Sequence, residues 1–427
     1  MLDIKFIREY PDKVKEGCRK KRVDVEIDKL LEADRKRREV LQALEQILAQ
    51  KNKASKIIAS TKDENERKKL ILQMQELDKN NDRLSKEFKK FEEEFNSLMQ
   101  KIPNLPFDDA PEGKNENDNV VLREMVEKPT FDFRPSDYLE IAEKLDLIDV
   151  KRATKVSGSR FGYLKREGVL LEFALINFVF DTLLKKGFIP IIPPVMLKPE
   201  MLEKTGHLSE KDRPERYFIE KDNLYLAGTA EQPIGAMHAD EIFDEKDLPR
   251  RYLGFSTCFR REAGAYGKDT RGILRVHQFD KIEMFSFCHP ERTREEHQFF
   301  LSCEEKIMQL LKIPYRVVQI CAGDLGFPAA AAYDIEAWLP SEGRFRETHS
   351  TFNDTDFQTR RLNIRYRRAK DKKLEFTCAL NGTALAIGRA IIAIIENYQE
   401  KDGGVRIPEV LQKYMKIEKI DSKKSKI

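Results

Sequence analysis

Apolar residues recur in alternating steps of four and three from Leu70 to Ile102, through Met74, Leu77, Asn81, Leu84, Phe88, Phe91, Phe95 and Leu98. Asn81 is the one polar position in the run. This is the heptad spacing of a left-handed coiled-coil seam. A weaker seam precedes it at Ile27, Leu30, Leu41, Leu44, Leu48 and Ile58, interrupted by Asp34, Arg37, Lys51 and Ser55. Neither glycine nor proline occurs between Gly17 and Pro103, as uninterrupted helix requires. The polar stretch from Ser60 to Asn65 divides the two seams. Together these features predict two antiparallel helices that fold back near residue 62, each on the order of 50 Å long.

Beyond Ile102 the pattern changes. Pro103, Pro106, Pro111 and Gly113 among mixed polar residues predict a linker over 104–119. After it, short β-type runs alternate with helical ones, predicting one α+β domain over 120–427 behind the hairpin of 1–103. Tyr252–Phe259 and Val276–Phe287 read as strands. Ala379–Ile395 reads as an apolar helix with Thr383 near its cap. The polar tail, 421–427, is expected to fray.

Composition narrows the picture. The chain has 427 residues, with 36% charged, 40% hydrophobic and a net charge of +4. No run of eighteen apolar residues occurs, so no membrane-spanning helix is expected. The N-terminus lacks the long apolar core of a secretory signal. Six cysteines without a C-x-x-C pair argue against a zinc site and fit a reducing, cytoplasmic setting. Near the hairpin tip, residues 51–69 hold seven Lys/Arg against three acids. A solvated coiled-coil face and a phosphate-backbone contact both account for that excess. Lys51, Lys53, Lys56, Lys68 and Lys69 are the candidates for the latter.

Candidate chemistry gathers in four segments. Residues 260–275 form a long loop between the two strands, with Gly264, Gly267 and Gly272, and with Arg260, Arg261, Lys268, Arg271 and Arg275. Such a loop is functional or mobile, and arginines there suit phosphate or carboxylate. On the second strand, Phe279, Lys281, Glu283, Phe285 and Phe287 share a face. Phe279 and Glu283 lie about 13 Å apart, roughly the span of a purine nucleotide joined to a small amino acid. The alternative is Phe279 as core and Glu283 as a strand-face acid. Arg389, alone in an apolar run, should meet an anion, either a structural carboxylate or a ligand phosphate. Thr229 with Gln232 is a capping-box pattern. Glu347 and Ser350 can share a hard cation such as Mg²⁺ only if a bulge or strand end brings them to one face.

In this order the segments resemble the bacterial-type seryl-tRNA synthetases, a family of class II aminoacyl-tRNA synthetases. Motif 1 resembles Leu171–Pro194, motif 2 Phe259–Phe287, and motif 3 Ala384–Arg389 with the helix after it. Thr229 to Glu231, Arg346 to Ser350 and Asn381 to Thr383 match the family's serine and ATP segments, and the hairpin is its distinguishing appendage. Two departures stand out: Ala329–Ala332, where many relatives carry lysine, and Thr383, where serine is common. The resemblance implies a mainly antiparallel sheet flanked by helices, a homodimer formed through motif 1, and ATP-dependent activation of L-serine followed by transfer to tRNA(Ser), and to tRNA(Sec) where one exists. It assigns Thr229, Ala230, Glu231, Arg260, Glu283, Asn381 and Thr383 to serine. It assigns Arg260, Arg261, Glu262, Val276, Phe279, Glu347, Thr348, His349, Ser350 and Arg389 to ATP, with Glu347 and Ser350 holding Mg²⁺. A paralogue that loads a carrier protein, and a non-catalytic RNA-binding scaffold, are the rival readings.

Overall fold

The computed structural model describes residues 1–210, 212–263, 269 and 271–421. Gly264, Gly267, Lys268 and the tail 422–427 lie outside the described residues. The chain forms two compact units, Met1–Leu105 and Pro106–Ile427.

The first unit is the hairpin. Its helices run Ile27–Ser60 and Glu64–Gln100. Asp63 caps the second helix, its Oδ1 accepting from Glu66 N–H at 2.8 Å, so the polar stretch both ends one helix and starts the next. In the second helix the heptad positions turn inward as expected, with Phe95 and Leu98 buried and Leu70 to Phe91 half-buried. The first helix departs from its expected seam. Leu41 and Leu48 are exposed, while Val40 and Ala54 are half-buried and Ile47 is buried. Two successive steps of three, Asp34 to Arg37 to Val40, shift the inward stripe by one residue. Of the polar interruptions, Asp34, Arg37 and Lys51 are part of this stripe, while Ser55 is exposed. Asp34 is buried among Arg8, Arg37 and Arg38, and Lys51 pairs with Asp78 across the hairpin at 2.5 Å. Two short helices, Ile4–Glu9 and Pro11–Lys20, close the root, where Ile7, Val14 and Cys18 pack with Ile27, Leu30 and Met99.

The second unit is built on an eight-stranded sheet. Its order is Val120–Met125, Tyr315–Gln319, Ala331–Leu339, Arg344–Asn353, Cys378–Ala386, Gln278–Cys288, Arg250–Phe259 and Ile189–Ile191. All neighbours are antiparallel except the last pair. Ile282 and Met284 face a core shared with the helices Glu167–Leu183, Thr293–Leu311 and Ile387–Asn397. Lys281 and Glu283 therefore point to the other face, as strand alternation requires.

Two expectations are corrected here. Cys378–Ala386 is a strand, and the helix starts only at Ile387 with Ala386 as its cap, so Thr383 caps nothing. A strand buried on both faces is as continuously apolar as a buried helix, and periodicity does not separate them. The expected linker is not free chain. Phe107 N–H donates to Ala330 O, Ala322 N–H donates to Pro111 O, and Arg294 is bidentate to Asp109, so 107–111 runs along the second unit.

Candidate active site

A cavity of about 400 Å³ opens on the sheet face opposite the helical core. One end is small and polar. Glu283, almost wholly buried, is ion-paired with Lys281 and accepts from Thr229 Oγ1 at 3.1 Å. Lys281 Nζ also reaches Thr383 Oγ1 at 3.5 Å. Thr383 stands directly opposite Glu283 because Ala384 is bulged out of register: Ile282 faces Leu385, but Glu283 faces Thr383. Burial raises the Glu283 carboxyl above its usual range, and the Lys281 charge opposes that rise. Glu231 is raised by burial too; Gln358 Nε2 donates to it at 3.0 Å, and His207 Nε2 lies 3.4 Å away. Burial and the Arg216 charge hold His207 neutral, down to about 3. Asn381 Nδ2 donates to Asp354 at 3.2 Å.

The rest of the cavity is longer and carries the arginines Arg260, Arg275 and Arg389 among its acids. The Arg260 guanidinium lies 5.3 Å from the centroid of the Phe279 ring, and its Nε donates to Gly228 O at 3.1 Å. Arg275 Nη1 donates to Glu262 at 2.9 Å. Ile273 to Val276 form one wall. That wall is tied by Tyr138, whose hydroxyl accepts from Ile273 N–H at 2.9 Å. Gly272 before it has φ +77°, and a Cβ there would come within 1.8 Å of the Tyr138 hydroxyl, so only glycine fits. On the facing strand a bulge at Thr348 lets Ile335 face His349 and Glu336 face Glu347. This brings Glu347 and Ser350 to the same side, 3.4 Å apart. Arg389 Nη1 donates to the Glu347 carbonyl at 2.8 Å and its carboxylate at 2.9 Å. Burial and the Glu347 charge push the neighbouring Asp334 carboxyl well above its usual range. Glu347, Ser350 and Asp334 supply oxygen donors alone. That set fits Mg²⁺, which takes one or two carboxylates and completes its shell with water and substrate phosphate.

Of the residues expected at the site, Thr229, Glu231, Arg260, Glu262, Val276, Phe279, Glu283, Glu347, Thr348, Ser350, Asn381, Thr383 and Arg389 line the cavity. Three do not. Ala230 packs into the core with Ile234 and Phe285. Arg261 extends over Tyr217, 5.6 Å from its ring centroid. His349 alternates to the other strand face, where its Nδ1 meets Thr348 Oγ1 at 2.8 Å. The capping-box reading of Thr229 is also revised. Gln232 Oε1 accepts from Gly228 N–H rather than from Thr229, and the Thr229 hydroxyl is shared between Glu231 N–H and Glu283.

Each of the two units matches a known family domain. Residues 1–106 match the seryl-tRNA synthetase N-terminal domain, and residues 217–398 match the class II tRNA synthetase core domain (G, H, P, S and T). A serine–tRNA ligase of Dictyoglomus turgidum is 47% identical over 99% of this chain and 100% of its own. The chain belongs to the seryl-tRNA synthetase family. Among solved structures, a seryl-tRNA synthetase of Pyrococcus horikoshii complexed with ATP superposes with a TM-score of 0.91, at 42% identity over 98% of this chain and 99% of that one. A cytoplasmic serine–tRNA ligase of Naegleria fowleri in complex with AMP gives 0.88 at 34% identity over 99% of each chain.

Lys281, Arg275, Arg216, His207 and Asp334 also line this seryl-tRNA synthetase cavity without having been assigned to a ligand from sequence, and Gln358 supports it by donating to Glu231. Lys281 had a signal: it shares the strand face of Phe279 and Glu283, and a lysine between them needs a partner. Arg275 sits in the arginine-rich loop. Arg216, His207 and Gln358 come from segments with no motif, and only the fold brings them in.

Proposed function

We infer that the protein is a serine–tRNA ligase: it activates L-serine with ATP to seryl-adenylate and pyrophosphate, then transfers serine to the terminal ribose of tRNA(Ser). The observation that carries this reading is the polar end, where Thr229, Lys281, Glu283 and Thr383 contact one another at the head of a cavity lined by Phe279 and several arginines. A group with one hydroxyl and one ammonium satisfies such a site; alanine leaves buried polar atoms unpaired. Sites that must pair a substrate hydroxyl reject the analogue lacking it by about 10⁴.

The chemistry is an in-line attack of the serine carboxylate on the α-phosphorus of ATP, with pyrophosphate leaving. Both reactants are anions, so the cavity's task is alignment and charge neutralisation. Arg260 bridges the α-phosphate and the carboxylate. Phe279 stacks the adenine from one side, Glu262 receives its amino group, Val276 meets it through the backbone, and Arg389 holds the γ-phosphate or the opposite ring face. Arg389 must exchange Glu347 for the ligand to do so. Glu347 and Ser350 would hold Mg²⁺, which would supply charge neutralisation at the phosphates. Thr229, Glu231, Glu283, Asn381 and Thr383 read serine. The second step needs no nucleophilic side chain, because the tRNA ribose hydroxyl attacks the activated acyl group.

The hairpin is the tRNA arm, with Lys53, Lys56, Lys68 and Lys69 exposed on its surface. The same arm fits tRNA(Sec) where one exists. The homodimer reading is supported by an apolar surface in the second unit: Leu170, Phe173 and Leu184 stay exposed along one helix side, and Ile189 and Ile192 stay exposed at the sheet-edge strand. Ile192→Asp should shift the species seen by light scattering towards monomer. No helix among the described residues is long and apolar enough to cross a membrane, and the cytoplasm is the compartment we assign. ATP–pyrophosphate exchange across a panel of amino acids, followed by charging of tRNA, tests the whole reading. Exchange with serine and charging of tRNA(Ser) are expected; exchange without charging would favour a carrier-loading enzyme, and neither would favour a scaffold.

A further inference from the structure

The cations of the cavity differ in what holds them. Lys281 is paired with Glu283, Arg275 with Glu262, and Arg389 with Glu347. Arg260 donates to Gly228 O and lies over Phe279. Arg216 is the exception. Among the described residues its side chain has neither an ion pair nor a hydrogen bond, and its Nε is sealed from solvent without a partner. Asp212, Glu215 and Glu231 act on it from nearby, but none is in contact with it. A guanidinium largely withdrawn from water without a contacting counter-charge is costly to the fold, and such a cost in a cavity marks a group waiting for an anion. Burial and the nearby Arg260 charge lower its pKa, the same unfavourable environment seen from the proton's side.

Its position says which anion. Arg216 Nη1 stands over Gly228, where a Cβ would come within 2.0 Å of it, and Arg260 Nε binds the carbonyl of the same glycine. The two guanidiniums therefore meet at Gly228. Arg216 is also the largest charge acting on His207, and it acts on Glu231; both belong to the small polar end. The anion available there is that of the amino acid.

We propose that Arg216 binds the α-carboxylate of the amino-acid substrate, holding it with Arg260 as it meets the α-phosphate. This rests on reading the cavity as the site of serine activation. Gly228 is part of the device, because any side chain there displaces the Arg216 fork. A bidentate guanidinium adds orientation as well as charge, which suits an in-line attack.

The test is serine-dependent ATP–pyrophosphate exchange by the full chain and by Arg216→Met, Arg216→Lys and Gly228→Ala. In Arg216→Met, KM for serine should rise at least about tenfold while KM for ATP stays within about twofold. The lysine variant should keep part of the affinity, and Gly228→Ala should reproduce the serine defect with Arg216 still present. Serinol, which has a hydroxymethyl group in place of the carboxylate, should inhibit wild type and Arg216→Met with the same inhibition constant. The thermal midpoint of Arg216→Met should be unchanged or higher, since a largely buried cation without a contacting partner has been removed. The proposal is overturned by a normal serine KM in Arg216→Met, by a parallel loss of serinol binding, or by a fall in thermal midpoint, which would mark a structural role. A defect confined to KM for tRNA would also overturn it and assign Arg216 to a tRNA phosphate. A wild-type protein that fails to exchange with serine would instead remove the activation reading itself.

Discussion

The hairpin and the cavity are both crowded with charge, and they use it in opposite ways. Around the hairpin tip, Lys53, Lys56, Lys68 and Lys69 stand in solvent with no ion pair among the described residues. In the cavity, Lys281, Glu283 and Glu231 are buried, and each is placed against a specific neighbour. Exposed charges act through a summed field that salt screens, so they substitute for one another. Buried charges act through contacts, so removing one strands its partner. The arm should therefore lose function gradually, and the cavity abruptly.

The largest expected effect separates the two regions outright. Replacing residues 44–85 with a short turn removes the outer arm and keeps the buried root of Ile7, Val14, Leu30 and Met99. Pyrophosphate exchange should stay within about twofold of wild type, while tRNA charging falls at least about a hundredfold. Charging that survives the truncation would mean the arm does not carry tRNA.

Next comes the abrupt behaviour of the cavity. Glu283→Ala leaves Lys281 buried without its counter-charge. Serine-dependent exchange should drop at least about tenfold, and the thermal midpoint should fall as well. Adding Lys281→Met should restore the midpoint but not the exchange; unaltered exchange in Glu283→Ala would take Glu283 out of the site. A milder cavity change is Tyr138→Phe, which frees the Ile273–Val276 wall. KM for ATP should rise about threefold to tenfold with KM for serine little changed. Equal effects on both substrates would indicate general loosening.

Within the arm, Lys53→Glu, Lys56→Glu, Lys68→Glu and Lys69→Glu should each weaken tRNA binding a few-fold and reduce the slope of log affinity against log salt by about one. Lys51→Glu should instead lower helix stability, because its nitrogen is bound to Asp78 inside the hairpin. Equivalent salt slopes for Lys51 and its neighbours would erase the distinction between seam and surface.

An effect on stability alone, with no expected change in exchange or charging, concerns a carboxyl pair beside the Phe279 strand. Burial, with Asp280 alongside, pushes the Glu172 carboxyl from 4.5 up to about 8. The folded chain then keeps a proton that the unfolded chain has released, so stability falls as pH rises from about 4.5 to about 8. Glu172→Gln should flatten that decline. Urea midpoints at pH 5 and pH 8 measure it, and an unchanged slope would show that Glu172 titrates normally.

The second hairpin helix was legible in the chain because ten positions repeat one spacing against solvent. The first was not, since Leu41 and Leu48 compete with Val40 and Ile47 for the inward face, and only the partner helix decides between them. The site was legible where motifs fall on regular strand, as at Phe279 and Glu283. It was obscured where a single extra residue inverts the alternation, at Thr348 and at Ala384. Those bulges account for Glu347 meeting Ser350 and for Thr383 facing Glu283 instead of capping a helix.

By itself the sequence determined the heptad arm, the alternating faces of the central strand and the kinds of charge available, because local periodicity follows from backbone geometry. Tertiary structure alone decided which charges are paired. The distance between Arg216 and Gly228, or between Gln358 and Glu231, is set by how separate segments pack, and packing is a property of the whole sheet rather than of any short stretch of chain.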